Sequence, residues 1–362
     1  MIIRRIAAVW FCVFLASLAL GASSARADVE IQAGGATFPN PIYQQWIKDF
    51  GAIHGDIKIS YAAKGSGAGI GGLLDRTFDF CGSDAPMNDD ELKKARDKGG
   101  DVVEIPSVAG AVVLAFNLPG FKGDLNLSGP VVADIFLGKI TKWNDPAIAA
   151  LNPGADLPGT DITTVHRSDG SGTTFVFTSY LCTQSDDFQT QVNFGKTVRW
   201  PAGQGGSGNQ GVTQAVQMTS GAIGYIELNF AADNHIPFAV MQNDAGKLVK
   251  ASPQSVSAAG QGAVQDMDDQ KTLAVRLWSR DGDDVYPISS FTYLMCYKDL
   301  SYLKDPAKAK AIVDFFGYAL HDGQSMAAEK TYAPLSPGVV QRAEAVIGTI
   351  MFDGKPIHPS IP

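Results

Sequence analysis

The sequence is short of basic charge, of cysteine and of long apolar runs. Its 29 lysines and arginines are outnumbered by 37 acidic residues, for a formal charge of −8 over 362 residues. That excludes a basic surface that holds nucleic acid through counterion release. With 45% hydrophobic and 18% charged residues, the chain also lacks the composition of a disordered protein. Of the 4 cysteines, Cys12 lies in the N-terminal apolar run, and Cys81, Cys182 and Cys296 have no C-x-x-C or Cys/His ligand spacing. No zinc site or disulfide framework is indicated. The 5 histidines, His54, His166, His235, His321 and His358, stand singly. No H-E-x-x-H, EF-hand loop or G-x-S-x-G elbow occurs, so metal and nucleophile chemistry has no recognisable motif. Gly67-x-Gly69-x-x-Gly72 is a lone match to a dinucleotide fingerprint, and Gly195-Lys196-Thr197 lacks the leading glycine of a phosphate-binding P-loop, since residue 190 is Thr.

The one long apolar run, residues 6–20, follows Arg4 and Arg5 and precedes Ala25-Arg26-Ala27. It is shorter than the ~20 residues of a membrane span, and it reads as a secretory signal peptide cleaved after Ala27. Loss of Arg4, Arg5 and Arg26 with the leader takes the formal charge from −8 to −11. At about 150 residues per domain, the mature length suggests two domains. What the chain has in excess is glycine, 39 residues in clusters rather than in a repeat period.

Short β-rich runs alternate with helical runs. Strands are expected at Val29–Ala33, Ile57–Tyr61, Thr77–Phe80, Ala111–Asn117, Ile162–His166, Gly221–Ile226 and Ser290–Tyr297. Helices are expected with Asn40 as cap, Pro41 as first residue and Gly51 as end, after Asn88, from Pro130 to Gly138, opening at Asp145-Pro146, and over Ala307–Leu320 and Pro337–Ile350. Residues 245–270, polar and small, read as a surface excursion. The alternation implies α/β layers with mostly parallel pairing.

Three strand-to-helix junctions carry small hydroxylated residues and glycines: Thr37-Phe38, Ser66-Gly67 and Ser171-Gly172-Thr173. A helix start presents unpaired N–H groups and the positive end of the dipole, which suits an anion. Ordinary N-capping also selects Ser and Thr at such places. Arg167, at a strand end, can pair with an oxyanion through its bidentate fork while Asp169 orients it; the same two residues would also make a surface salt bridge. Asp84 would repel a fully deprotonated anion but is complementary to one that carries a proton. Hydrogen phosphate can donate a hydrogen bond to it and sulfate cannot. An Asx-type turn before Pro86 is the plain alternative.

Together these residues resemble the periplasmic phosphate-binding proteins of bacterial phosphate-specific ABC importers. The resemblance runs through Gly35-Ala36-Thr37-Phe38-Pro39, Gly65-Ser66, Ser83-Asp84-Ala85-Pro86, Leu137-Gly138-Lys139-Ile140-x-Lys142-Trp143, Arg167-x-Asp169-Gly170-Ser171-Gly172-Thr173 and Gly221-Ala222-Ile223-Gly224-Tyr225. It implies an α/β, two-lobed periplasmic binding protein fold of type II, each lobe a mixed, mostly parallel sheet flanked by helices, with the ligand cleft between lobes. Lobe I is expected to comprise 28–108 and 289–362, and lobe II 109–288. Thr37, Phe38 (through its N–H), Ser66 and Asp84 match the family's phosphate ligands from the first lobe, and Arg167, Ser171, Gly172 and Thr173 those from the second, with Asp169 as partner of Arg167. Gly67-Ala68, where relatives often have Ser-Gly, and Cys81, where Ala or Gly is common, depart from the pattern without removing a matched ligand. Trp143 and Tyr225 read as fold residues. The resemblance further implies a monomer without cofactor or metal that takes inorganic phosphate in the periplasm and delivers it to an inner-membrane permease, with no enzymatic step. Two other readings stay open: a secreted phosphomonoesterase with Ser171 or Ser66 as nucleophile, and a binder of another oxyanion.

Overall fold

The computed structural model describes residues 28–360, so the expected signal peptide lies outside the described residues. In chain order, the first part of the chain forms β1 (Val29–Gly35), α1 (Asn40–Ile53), β2 (Ile57–Ala63), α2 (Ser66–Leu74), β3 (Phe80–Ser83), α3 (Asp89–Lys98) and β4 (Val102–Asn117). The middle forms β5 (Asn126–Ser128), α4 (Gly129–Phe136), α5 (Pro146–Leu151), β6 (Thr163–Arg167), α6 (Gly172–Gln184), α7 (Asp186–Gln191), β7 (Gln204–Gly206), α8 (Gly208–Met218), β8 (Ala222–Glu227) and α9 (Leu228–Asp233). Then come β9 (Val240–Gln242), β10 (Leu248–Val249), α10 (Pro253–Ala259), α11 (Ala263–Gln270), β11 (Ser289–Tyr297), α12 (Pro306–Leu320), α13 (Pro337–Ile347) and the hairpin β12 (Met351–Phe352) and β13 (Lys355–Pro356).

The main sheet has the order β2-β1-β3-β11-β4-β8-β6-β7. Its outer strands pair in parallel, β1 with β2 and β3, and β6 with β7 and β8, while β11 and β4 run antiparallel at its centre. The long strand β4 changes partner midway: Val102–Ala111 pairs with β11 and Val112–Asn117 with β8. The result is two half-sheets joined through one strand. Each lies among helices, and the two-lobed fold follows.

The burial of each strand explains its place. Strand β11 is buried at every residue and β4 at all but its ends and Glu104, the continuous apolar signature of strands covered on both faces. Their pairing slips between Thr292 and Tyr293, where β4 carries an extra residue beside Pro106, which has no N–H to give the ladder. On the first half-sheet, α1 buries Ile42, Tyr43, Trp46 and Phe50, and the Phe50 ring meets Phe315 of α12 edge-on at 5.5 Å. Helix α2 can lie directly on β1 because Gly69 is bare: a Cβ there would come within 2.5 Å of the Gly35 Cα.

The elements depart from the sequence reading in three informative places. Strand β3 is Phe80–Ser83 rather than Thr77–Phe80, because Thr77 and Phe78 turn back onto the Gly72 carbonyl at the end of α2. Helix α1 continues past Gly51 to Ile53, and Pro39, not Asn40, occupies its N-cap. The 245–270 stretch is no loose excursion: it contains α10 and α11, which bury Val256, Ala259, Ala263 and Met267. Its side chains are small, so it makes a core without an obvious apolar period.

Candidate functional site

Strands β1, β3 and β6 are parallel members of their half-sheets, and their C-terminal ends deliver Thr37, Asp84 and Arg167 to the gap between the lobes. This is where open α/β sheets place ligands. Thr37, Phe38, Ser66, Asp84, Arg167, Ser171 and Thr173 are all 4% exposed or less, and Gly172 is buried with them. Hydrogen bonds join Thr37 and Thr173 through Asn209, Thr173 to Arg167, and Ser66 to Asp84 and Gly172, while Asp169, which holds Arg167, is part-exposed.

The lobes touch through these residues. The Ser66 hydroxyl, at the start of α2, accepts the Gly172 N–H from the opposite lobe at 3.1 Å and the Asp84 N–H at 3.3 Å. The Gly67 N–H donates to the Gly170 carbonyl at 2.9 Å. Gly65 has φ +94°, and a Cβ there would fall 2.2 Å from Asp169 Oδ2. Glycine is needed at 65 both for its backbone and for the approach of the other lobe. At the edge of the cleft, Lys196 reaches Glu91 at 2.6 Å.

Asp84 is a carboxyl among donors. Its Oδ1 accepts from the Thr292 hydroxyl at 2.9 Å, and its Oδ2 lies beside Gly172, within 2.6 Å of where a Cβ on that residue would stand. Burial pushes Asp84 up to about 7, against the opposite pull of the Thr292 hydrogen bond and of Arg167. The carboxyl is thus poised near neutrality to hold or accept a single proton.

Arg167 meets Asp169 side-on, with Nε 2.7 Å from Oδ1 and Nη2 2.5 Å from Oδ2, and its Nη1 reaches the Thr173 hydroxyl at 3.2 Å, which leaves the Nη1–Nη2 edge of the guanidinium on the side away from Asp169. The two residues sit on one tight turn, so the carboxylate takes the nearer edge of the guanidinium. Burial alone would raise the Asp169 carboxyl, but the Arg167 fork and the Gly208 N–H outweigh it and hold it below its ordinary value. This pair is no surface salt bridge, since the Arg167 side chain is 1% exposed. Ser171 caps α6 by accepting the Thr174 N–H at 3.0 Å, which leaves its hydroxyl proton to donate elsewhere.

The sequence reading missed the parts played by Tyr225, Asn209, Glu227 and Tyr332. Tyr225, taken as a fold residue, accepts the Arg167 N–H at 3.0 Å and meets the Thr174 hydroxyl at 2.7 Å, so it fixes the strand end that carries Arg167. Trp143 is a fold residue, buried with its Nε1 donating to the Gly221 carbonyl. Asn209, at the start of α8, donates to Thr37 and Thr173. The Tyr332 hydroxyl lies 2.6 Å from the Phe38 carbonyl and 3.1 Å from Glu227 Oε2, linking the lobes behind the cleft. The glycines flanking Asn209 were the only signal for it; Glu227 and Tyr332 had none. His166, the one histidine near the candidate serines in sequence, stacks on Trp200 with its Nδ1 against the Arg167 carbonyl.

Two lobes sharing a central strand, closed over a buried cleft of hydroxyls, helix N-termini, one arginine and one carboxyl, define a small-anion binding protein. The model of the PBP superfamily domain matches residues 21–320. The phosphate-binding protein PstS of Xylella fastidiosa (strain Temecula1) is 42% identical over 319 residues, covering 88% of this chain and 85% of the relative. That of Pasteurella multocida is 40% identical over 316 residues, covering 87% and 89%. Among solved structures, a high-affinity periplasmic phosphate-binding protein bound with phosphate (PfluDING) has a TM-score of 0.70 at 22% identity, covering 87% of this chain and 93% of the other. A phosphate-binding protein from Stenotrophomonas maltophilia has a TM-score of 0.65 at 21% identity, covering 89% and 94%. The structural likenesses show the fold. The chain belongs to the PstS family of phosphate-binding proteins.

Proposed function

We propose that the protein captures inorganic phosphate in the periplasm and delivers it to an inner-membrane ABC permease. Thr37, the Phe38 N–H, Ser66 and Asp84 hold the ion from lobe I, and Arg167, Ser171, Gly172 and Thr173 from lobe II, with Asp169 holding Arg167 in place. Lobe I comprises 28–108 and 289–362 and lobe II 109–288. The change of partner along β4 between Ala111 and Val112, and the hydrogen bond from the Val112 N–H to the Ile288 carbonyl, support a crossing close to these limits, with 109–111 still paired to β11 of lobe I.

The observation that carries this reading is the buried Asp84. A dehydrated anion needs many donors, and the cleft supplies them as hydroxyls, backbone N–H groups and one guanidinium edge. A single proton-accepting carboxyl among them selects an anion that brings a proton. Hydrogen and dihydrogen phosphate do so at neutral pH, and sulfate would leave two acceptors facing each other. Closing the lobes removes water and gives the permease a shape that exists only around a ligand. The role is binding and transport without covalent chemistry. The Ser171 oxygen serves as a helix cap, and His166 is engaged by Trp200 rather than by a serine. Equilibrium titration of the mature protein with phosphate, sulfate and molybdate tests the reading. Phosphate is expected to bind at least about 100-fold more tightly than the others, and comparable affinities would overturn it.

A further inference from the structure

Asn209 is 0% exposed, and each of its polar groups has one assignment. Its Oδ1 accepts the Glu227 N–H at 2.9 Å, which fixes the sense of the amide and turns Nδ2 toward the cleft. Nδ2 has two protons. One lies on Thr37 Oγ1 at 2.9 Å and the other on Thr173 Oγ1 at 3.3 Å. The Asn209 backbone N–H, an otherwise unpaired donor in the first turn of α8, also points at Thr37 Oγ1 at 3.1 Å. Thr173 Oγ1 receives its second donor from Arg167 Nη1 at 3.2 Å.

A hydroxyl has two lone pairs and one proton. At both Thr37 and Thr173 two N–H donors already fill the lone pairs. Neither hydroxyl can accept a further hydrogen bond, and each must donate its own proton. Both are buried, so that proton needs a partner, and an oxyanion in the cleft is one.

We propose that Asn209 is a positioning residue that makes Thr37 and Thr173 obligate donors to the bound anion. This rests on the phosphate reading above and deepens it. With the two hydroxyls barred from accepting, the proton carried by the anion has Asp84 as its acceptor, and the preference for a protonated oxyanion is sharpened. The arrangement also exists only in the closed form, because Thr37 comes from the lobe opposite Asn209 and Thr173.

A thermodynamic cycle tests this. Phosphate is titrated into the wild type, Asn209→Ala, the double variant Thr37→Val with Thr173→Val, and the combination of all three. Asn209→Ala is expected to weaken phosphate binding by about 10- to 100-fold, the factor for two lost hydrogen bonds. Added to the double variant, the same change is expected to cost no more than about twofold, because there are no hydroxyls left to orient. Asn209→Asp, which turns donors into acceptors, is expected to weaken binding more than Asn209→Ala, and it serves as a second probe should the alanine variant fail to fold. The proposal is overturned if Asn209→Ala binds phosphate as the wild type does, if it costs the same factor in both backgrounds, as a purely structural clasp would, or if Asn209→Asp binds no more weakly than the wild type. A wild type that does not bind phosphate removes the phosphate reading itself, and this role with it.

Discussion

Arg167 turns two of its nitrogens to Asp169, at 2.7 and 2.5 Å, and presents a single edge to the cleft. The guanidinium is therefore held by its partner before any ligand arrives. Arg167→Ala is expected to weaken phosphate binding by about 100-fold or more, since it removes the one cationic donor from a buried site. Asp169→Asn keeps the positive charge but loosens its aim, and it is expected to weaken binding by about 10-fold. Calorimetric titration of both variants checks the order, and an Asp169→Asn loss larger than that of Arg167→Ala would contradict it.

Asp84 gives the ligand-free protein a pH signature. Its native value is raised to about 7, so the stability associated with it is fully present below the unfolded value near 4 and is lost as pH rises through about 7. Glu104, pushed up to about 7 mainly by burial, acts in the same direction. The unfolding midpoint of ligand-free protein is expected to fall between pH 4 and 7, and Asp84→Asn is expected to flatten that slope. An unchanged slope in the variant would refute the assignment.

Behind the cleft, one hydroxyl proton on Tyr332 serves two oxygens, the Phe38 carbonyl and Glu227 Oε2. Glu227 is fully buried, and burial raises its carboxyl well above the ordinary range against the hydrogen bonds from the Asn229 N–H and the Tyr332 hydroxyl. Glu227→Gln is expected to keep phosphate affinity at pH 7 within about threefold, because the amide has the same shape and still offers an oxygen to Tyr332. It is also expected to remove a loss of stability that the wild type suffers as pH rises through the raised value. Denaturation of both proteins across pH 5 to 9 measures this, and parallel curves would contradict it.

Closure depends on bare backbone at Gly65, which stands against Asp169 of the other lobe. Gly65→Ala is expected to hold the lobes apart and to lower phosphate affinity by about 10-fold or more, since the residue combines a positive φ with no room for a Cβ. Small-angle scattering with saturating phosphate reads the outcome. The wild type should contract and the variant should not.

Much of the fold was legible because the strands are apolar runs bounded by glycine and the helices carry apolar faces that end at caps. Asn88 is an instance: it caps α3 in a capping box with Glu91, as its place before an acidic turn suggested. The 253–270 helices escaped because Ala259 and Ala263 fill their core without bulk. At the site, the candidate residues sit in strand-to-helix junctions and in short motifs that resemble those of the family, so they could be named from the sequence. Those that orient them do not. Asn209 meets Thr37 from 172 residues away, Tyr332 meets Glu227 from 105 residues away, and only three-dimensional packing creates these pairs. The direction of the Arg167 fork was hidden for a different reason, since two residues of separation permit either edge to face Asp169.

The central claim is that Asp84 selects an oxyanion that carries a proton. Phosphate and sulfate affinities measured side by side at pH 7, for the wild type and for Asp84→Asn, test it most directly. The account predicts a phosphate-to-sulfate preference of about 100-fold or more in the wild type that shrinks by at least about 10-fold in the variant. A preference that survives Asp84→Asn unchanged would contradict it.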